Sequence, residues 1–369
     1  MSFARSVLVL LPMAVLYGCH GIDCTPEDPC YDVETRTFHD TPVGTTSAAG
    51  RFVAWTDGSA AIHGHLLGAP VEAFGPGSPL AVASDGNDHV MLVMQGTELH
   101  ARRVSDRSDT VLTTDPIGGA RLLVASGGYV AAWISEKTGY VARLDAAGEM
   151  TGGPWAATAP GFTTQLSLAV DDTGAALTWT EIHERLDPQT GIVHVLPADL
   201  HLRRIANDGA LGPDLIHTQA TEAAISGDAR GFVLASRTFD GSIEAERLDV
   251  TLASAGSRLL VASPQDVGMG GGIDIAGTID AYVVRYISLG SSPTSRPALR
   301  SRVGGPAGLG VNTTFGVGYY CVLSAYEGWF HALWVEHRFQ PTGSDSYDEY
   351  FDLNQAELRA DGASGELLD

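Results

Sequence analysis

A repeat constrains this chain more than any other feature. A short apolar segment ending in tryptophan recurs as Phe52-Val53-Ala54-Trp55, Tyr129-Val130-Ala131-Ala132-Trp133, Ala176-Leu177-Thr178-Trp179 and His331-Ala332-Leu333-Trp334. The tryptophans lie 78, 46 and 155 residues apart, which reads as two units, one unit and three units. The intervening units are Val90-Met91-Leu92-Val93, Phe232-Val233-Leu234-Ala235-Ser236 and Tyr282-Val283-Val284-Arg285, for a total of seven. A second anchor follows, an arginine before an aliphatic residue, at Arg103-Val104, Arg143-Leu144, Arg204-Ile205, Arg247-Leu248 and Arg302-Val303. His65-Leu66 and Glu357-Leu358 take the corresponding places in the first and seventh units, at a mean spacing of about 49 residues. One such unit cannot bury its own apolar face, so the units must stack on one another.

Short β-patterned segments separated by turn signals at regular intervals predict an all-β fold. The 44 glycines fall largely at those turns, as in Asn207-Asp208-Gly209 and Ala146-Ala147-Gly148, where positive φ is needed. A period of 40 to 50 residues with about four strands is the sequence signature of a β-propeller. The expectation is therefore a ring of seven blades, each of about four antiparallel strands. A six-bladed ring and a pair of β-sandwich domains are the alternatives. Thr35-Arg36-Thr37-Phe38-His39 alternates like a strand ahead of the first unit. Joined to the last blade, it would close the ring and cover an exposed strand edge.

The N-terminus begins MSFARSVLVLLPMAVLYGC, with Arg5 as a short positive region before an apolar run. That is the layout of a secretory signal, and the run is shorter than the ~20 apolar residues a membrane span needs. Leu16-Tyr17-Gly18-Cys19 resembles the lipobox of bacterial lipoproteins, with Tyr17 a larger residue than is usual there. The resemblance implies cleavage before Cys19, acylation of that cysteine and attachment to a membrane through lipid. Together with the repeat, the chain resembles uncharacterised families of β-propeller lipoproteins from high-GC bacteria, over roughly residues 43 to 369. The division expected is a signal peptide over 1–18, a lipidated tether over 19–34 and the propeller over 35–369. His20 is not the aspartate that marks inner-membrane retention in enteric-type lipoproteins, so the resemblance implies an outer-membrane location in the cell envelope. Cys24, Cys30 and Cys321 remain in an oxidising compartment, where disulfides persist. A local Cys24–Cys30 bond is preferred, with Cys30–Cys321 as the alternative.

Acidic residues outnumber Lys and Arg by 44 to 22, for a formal charge of −22. No basic footprint for nucleic acid is visible, and the same charge repels anionic headgroups, leaving membrane contact to the acyl chains. The tryptophans are expected in the core rather than on a carbohydrate platform. The recurrent arginines are expected to pair with nearby carboxylates rather than to ring an anion pore. His183, Glu184, Asp187, His194, Asp199 and His201 crowd the long fourth unit, but no spacing matches a zinc motif, so a polar hairpin is expected. Asp345 to Asp352 mixes carboxylates with aromatics and lacks the spacing and glycine of an EF-hand loop, so a solvated loop, one that could meet a partner, is expected rather than a calcium site. Gly268-Met269-Gly270-Gly271-Gly272 reads as a linker between units.

Gly-x-Ser-x-Gly, papain-type and zincin motifs are all absent. No catalytic residue, metal or cofactor is assigned. The function expected is a membrane-anchored, non-enzymatic scaffold for a protein or polysaccharide partner. The alternative is a glycan hydrolase or lyase whose carboxylates come from separate blades, about 5–10 Å apart.

Overall fold

The structure is a computed structural model of the 369-residue chain. It describes residues 35–38, 46–49, 52–56, 60–66, 70–115, 117–159, 163–186, 193–228, 230–267, 272–277, 281–288, 298–305, 308–317, 320–326, 329–341 and 347–359. Cys19, Cys24 and Cys30, and with them the signal, lipidation and disulfide readings, lie outside the described residues.

Among the described residues every regular element is a strand, and the strands form seven antiparallel four-stranded sheets. Six sheets are continuous in sequence, over 46–76, 78–113, 117–156, 163–219, 222–262 and 274–317, and are numbered blades 1 to 6. Blade 7 takes three strands from the C-terminal region, Tyr320–Tyr326, Trp329–Pro341 and Tyr347–Arg359, and its outermost strand from the N-terminal region, Thr35–Phe38. Thr35 pairs with Ala356 and Phe38 with Leu353. The first strand of each blade contacts the first strand of the next, and that of blade 7 contacts that of blade 1. The ring is closed: this is a seven-bladed β-propeller, with the N-terminal strand completing the last blade as its alternation predicts.

The core lies between blades. Each central strand is buried on both faces, so it reads as an apolar run rather than an alternation. In blade 2, Val90 and Leu92 pack toward blade 3, while Met91 and Val93 pack back on Phe52, Ala54 and Phe74 of blade 1. Fully burying a side chain of this size contributes roughly 1.5–3 kcal/mol, repeated at every seam. Trp55, Trp133 and Trp179 are buried as expected of core residues. Each stacks on the ring directly across the ladder. Trp55 meets His63 at 6.0 Å, Trp133 meets Tyr140 at 6.0 Å and Trp179 meets His201 at 5.0 Å between centroids.

A tight approach repeats where the first hairpin of a blade enters its second strand. Gly231 has φ +127°, and a Cβ there would come within 2.5 Å of the Leu248 carbonyl oxygen. Gly128 and Gly174 sit at the same point of blades 3 and 4 and meet the carbonyls of Leu144 and Ile205 in the same way. Only glycine fits such a backbone-to-backbone contact.

Candidate functional site

The recurrent arginines serve the seams. Arg103, Arg143, Arg204 and Arg247 sit opposite Val90, Val130, Ala176 and Val233, all of which pack toward the following blade. Arg204 pairs with Asp171 and lies 5.0 Å over the Phe232 ring of blade 5. Arg247 lies 5.9 Å over Tyr282 of blade 6, and Arg143 donates to Asn207 of blade 4 at 2.6 Å. Arg103 donates to Asp88 at 2.6 Å. Burial works to raise the Asp88 pKa, but hydrogen bonds from Ser105, the His89 N–H and Arg103 outweigh it and hold the carboxyl below its ordinary value. Asp171 is held down in the same way, burial being outweighed by Arg204 and Thr173. These groups are structural, as the pairing reading expects.

Two of the sequence alignments shift by one residue. Arg302 pairs with Val284, which packs back on blade 5, and His65 pairs with Val53 rather than with Phe52 or Ala54, which pack toward blade 2. Both therefore occupy the register of the opposite sheet face. A single-residue offset is invisible in a degenerate repeat but changes face in a ladder of period two.

Two buried polar clusters occupy matching places in blades 2 and 4, and the sequence reading passed over the shared pattern. His100 lies 3.2 Å from Glu98 and 3.4 Å from Asp109, and Arg102 lies 2.9 Å from Asp109. His201 lies 3.5 Å from Glu181 and 2.9 Å from Asp214, and Arg203 lies 3.5 Å from Asp214. Each arginine also donates backward to the preceding blade, Arg102 to the Phe74 carbonyl at 2.7 Å and Arg203 to the Ala157 carbonyl at 2.6 Å. The signal was available: His100-Ala101-Arg102 and His201-Leu202-Arg203 repeat the same tripeptide pattern. Both histidines are buried, so these clusters clasp blades together.

The described histidines and carboxylates of the fourth unit are strung along one hairpin. Val193–Ala206 and Gly174–Leu186 form one long hairpin in which His183 faces Leu196, Glu184 faces Val195, His194 faces Arg185 and Asp199 faces Glu181. His201 stays inside the ring, and Asp187 lies outside the described residues. No group of three His, Cys, Asp or Glu able to hold a metal occurs among the described residues. Gly268 to Gly271 also lie outside them. Cys321 is placed on the innermost strand of blade 7, opposite Trp334. That is three strands from Thr35–Phe38, or about 14 Å at the usual strand spacing.

What distinguishes one face of the ring is hairpin length. In blades 1, 2, 3, 5 and 6 the second and third strands run five to eight residues. In blade 4 they run 13 and 14 residues, and in blade 7 both run 13. Four ladder pairs of blade 4, His183↔Leu196 to Leu186↔Val193, and six of blade 7, Glu336↔Asp352 to Pro341↔Tyr347, extend past the flanking strands. Tyr347 to Asp352, expected as a loop, is strand in this ribbon. An unbroken hairpin needs only that both arms keep pairing, and the Val- and Tyr-containing arms favour that. Six residues of strand reach roughly 20 Å. Both ribbons join second to third strands, so both rise from the same face. Blades 4 and 7 are three steps apart in a ring of seven, which sets the ribbons on nearly opposite sides of the axis.

No protein-family model matches the chain, and no curated protein matches it. Among solved structures, it is similar to the β-propeller domain of Cps50 (Swd1) from Myceliophteria thermophila, at 10% identity and a TM-score of 0.50 over 86% of this chain and 98% of that one. It is also similar to a chain of the mitotic checkpoint complex, at 13% identity and a TM-score of 0.50 over 94% of this chain and 99% of that one. At such identities the likeness establishes one thing, the β-propeller fold.

Proposed function

We propose that the chain is a lipid-anchored, extracytoplasmic scaffold that holds a protein or polysaccharide partner on the face bearing the two ribbons. The carrying observation is the pair of long hairpins on that face, in blades 4 and 7. Elements that extend beyond a packed ring bury nothing in it, and function concentrates on such extensions of a rigid scaffold. The outermost strand of a blade runs from the opposite face toward the ribbon face, so the chain preceding Thr35 joins the ring at the face opposite the ribbons. A lipid anchor at Cys19 would lead into the ring through the face opposite the ribbons.

The test uses the mature full-length protein in detergent, as wild type and with each ribbon shortened to a tight turn. Wild type retains a component of cell-envelope fractions, and the shortened variants lose it while keeping the same thermal midpoint. Retention unchanged by both shortenings, or turnover of an envelope glycan by wild type, sinks the reading.

A further inference from the structure

The innermost strands of the blades surround the axial channel of the ring. Of the charged side chains described on them, all but one are engaged within the fold. Asp171 pairs with Arg204, Glu222 lies 3.5 Å from Arg237, and Asp274 accepts the Leu323 N–H at 3.0 Å. The exception is Arg121, the only Lys or Arg among the described residues of the seven innermost strands. It is exposed, and among the described residues its guanidinium donates to one group, the Ala120 carbonyl, at 3.1 Å. Arg121 sits in the middle of Ile117–Ala125, between buried Ala120 and Leu122. That strand packs against the innermost strands of blades 2 and 4. With both flanks covered, the exposed side chain reaches solvent through the channel.

A recess adjoins this side chain. Gly119 shares the face of Arg121, two residues nearer the ribbon face, and a Cβ there would meet nothing within 4 Å. The ladder skips Gly118, between Ile117↔Ser135 and Gly119↔Ile134, so its backbone groups stand outside the pairing. Across the seam, the first ladder of blade 4 has its own irregularity between Thr164 and Ser167. One of the extra residues is Gln165, exposed and with φ +52°. Thr164 faces Thr180 and Ser167 faces Thr178, which are the rungs that Gly119 and Arg121 occupy in blade 3. Gln165 therefore lies between the heights of Gly119 and Arg121. Its amide nitrogen is 3.5 Å from Glu222 Oε1, which leaves the amide oxygen as an acceptor.

We propose that this part of the channel binds a small carboxylate of the uronic acid class, its carboxylate on Arg121, its body over Gly119 and a hydroxyl on Gln165. A guanidinium receives a carboxylate through two parallel N–H···O bonds. A cation in a passage walled by protein also concentrates its field there. The chain as a whole carries a formal charge of −22, so a cation without a carboxylate partner on this lining selects an anion where most of the surface repels one. The site belongs to the ring and to neither ribbon, so it goes beyond the scaffold reading. The ordinary alternative is that Arg121 meets only water.

The probe is sodium glucuronate, with glucose as the neutral control, titrated calorimetrically into the full-length protein in detergent. Glucuronate binds saturably and glucose does not. Arg121→Gln weakens binding about tenfold or more, the loss expected of charge-assisted hydrogen bonds, and keeps the thermal midpoint. Gly119→Leu fills the recess and weakens binding as well. Arg107→Gln removes an exposed arginine from an outer turn of blade 2 and leaves the affinity unchanged. A short galacturonate oligomer distinguishes two sources of the same chemistry. Tighter Arg121-dependent binding of the oligomer assigns the site to the end of an acidic polysaccharide, and tighter binding of the monomer assigns it to a free sugar acid. No binding of either acid, equal binding of glucose, unchanged affinity in Arg121→Gln, or equal weakening by Arg107→Gln overturns the inference. Glucuronate binding persists when the ribbons are shortened, so failure of the scaffold reading shows separately, as envelope retention that ignores that shortening.

Discussion

At the residue scale, the ring depends on a few side chains that work across seams. Ser167 and Asp274 hold corresponding positions on the innermost strands of blades 4 and 6. Each accepts the next blade's backbone N–H, from Ile225 at 3.1 Å and from Leu323 at 3.0 Å. The Arg204–Asp171 clasp has a pH consequence. The folded carboxyl titrates below its ordinary value, so its contribution is complete above the unfolded pKa of about 4 and disappears as pH falls through the lowered folded value. Asp171→Asn should cost about 1–3 kcal/mol near neutrality. The gap to wild type should narrow in acid, as followed by denaturant unfolding from pH 7 to 2. Gly231→Ala tests the tight hairpin entry. Strain at such a position is of order 1–3 kcal/mol, and a carbonyl in the way adds to it, so the midpoint of thermal unfolding should drop by several degrees. Arg285, buried beside Asp274 across the ladder, takes the place that Ala54, Leu92, Ala132 and Ala235 fill in other blades. Removing one of two neighbouring buried charges leaves the other uncompensated, so Arg285→Met should lower the midpoint of thermal unfolding.

At the scale of elements, one strand carries more than its length suggests. Thr35–Phe38 is four residues long, yet it pairs with Leu353 to Ala356 on the outer edge of the last strand and ties the two ends of the propeller into one sheet. Replacing it with Gly-Ser-Gly-Ser should lower the unfolding midpoint, open blade 7 to limited proteolysis and raise light scattering on concentration. An unchanged protease pattern would mean that blade 7 closes without it. The ribbons are elements of the opposite kind, extending past the packed ring and contributing little to its stability. That is why shortening them is a clean functional test.

At the scale of the whole molecule, the strand Thr35–Phe38 enters the ring at the face opposite the two ribbons, and the proposed lipid anchor has its own test. Cys19→Ser should move the protein from membrane to soluble fractions and abolish incorporation of labelled fatty acid, and continued membrane association of that variant would contradict lipid anchoring. The seven-fold period, the all-β class, the core role of Trp55, Trp133 and Trp179 and the closing strand at Thr35–Phe38 were legible in sequence. Each follows from local alternation and from the need of each unit to bury a face against a neighbour. The face assignments of Arg302 and His65 were not legible, because a one-residue shift in register leaves the local pattern intact while turning the residue to the other seam. Nor was the blade 7 ribbon, where Tyr347 to Asp352 read as a polar loop. Strand pairing there is decided by the partner arm, which the tertiary ladder supplies. The sequence alone determined what repeats and what must be buried. Only the closed ring decided which seam each charge serves and which face the unburied hairpins share, because both depend on where the blades meet.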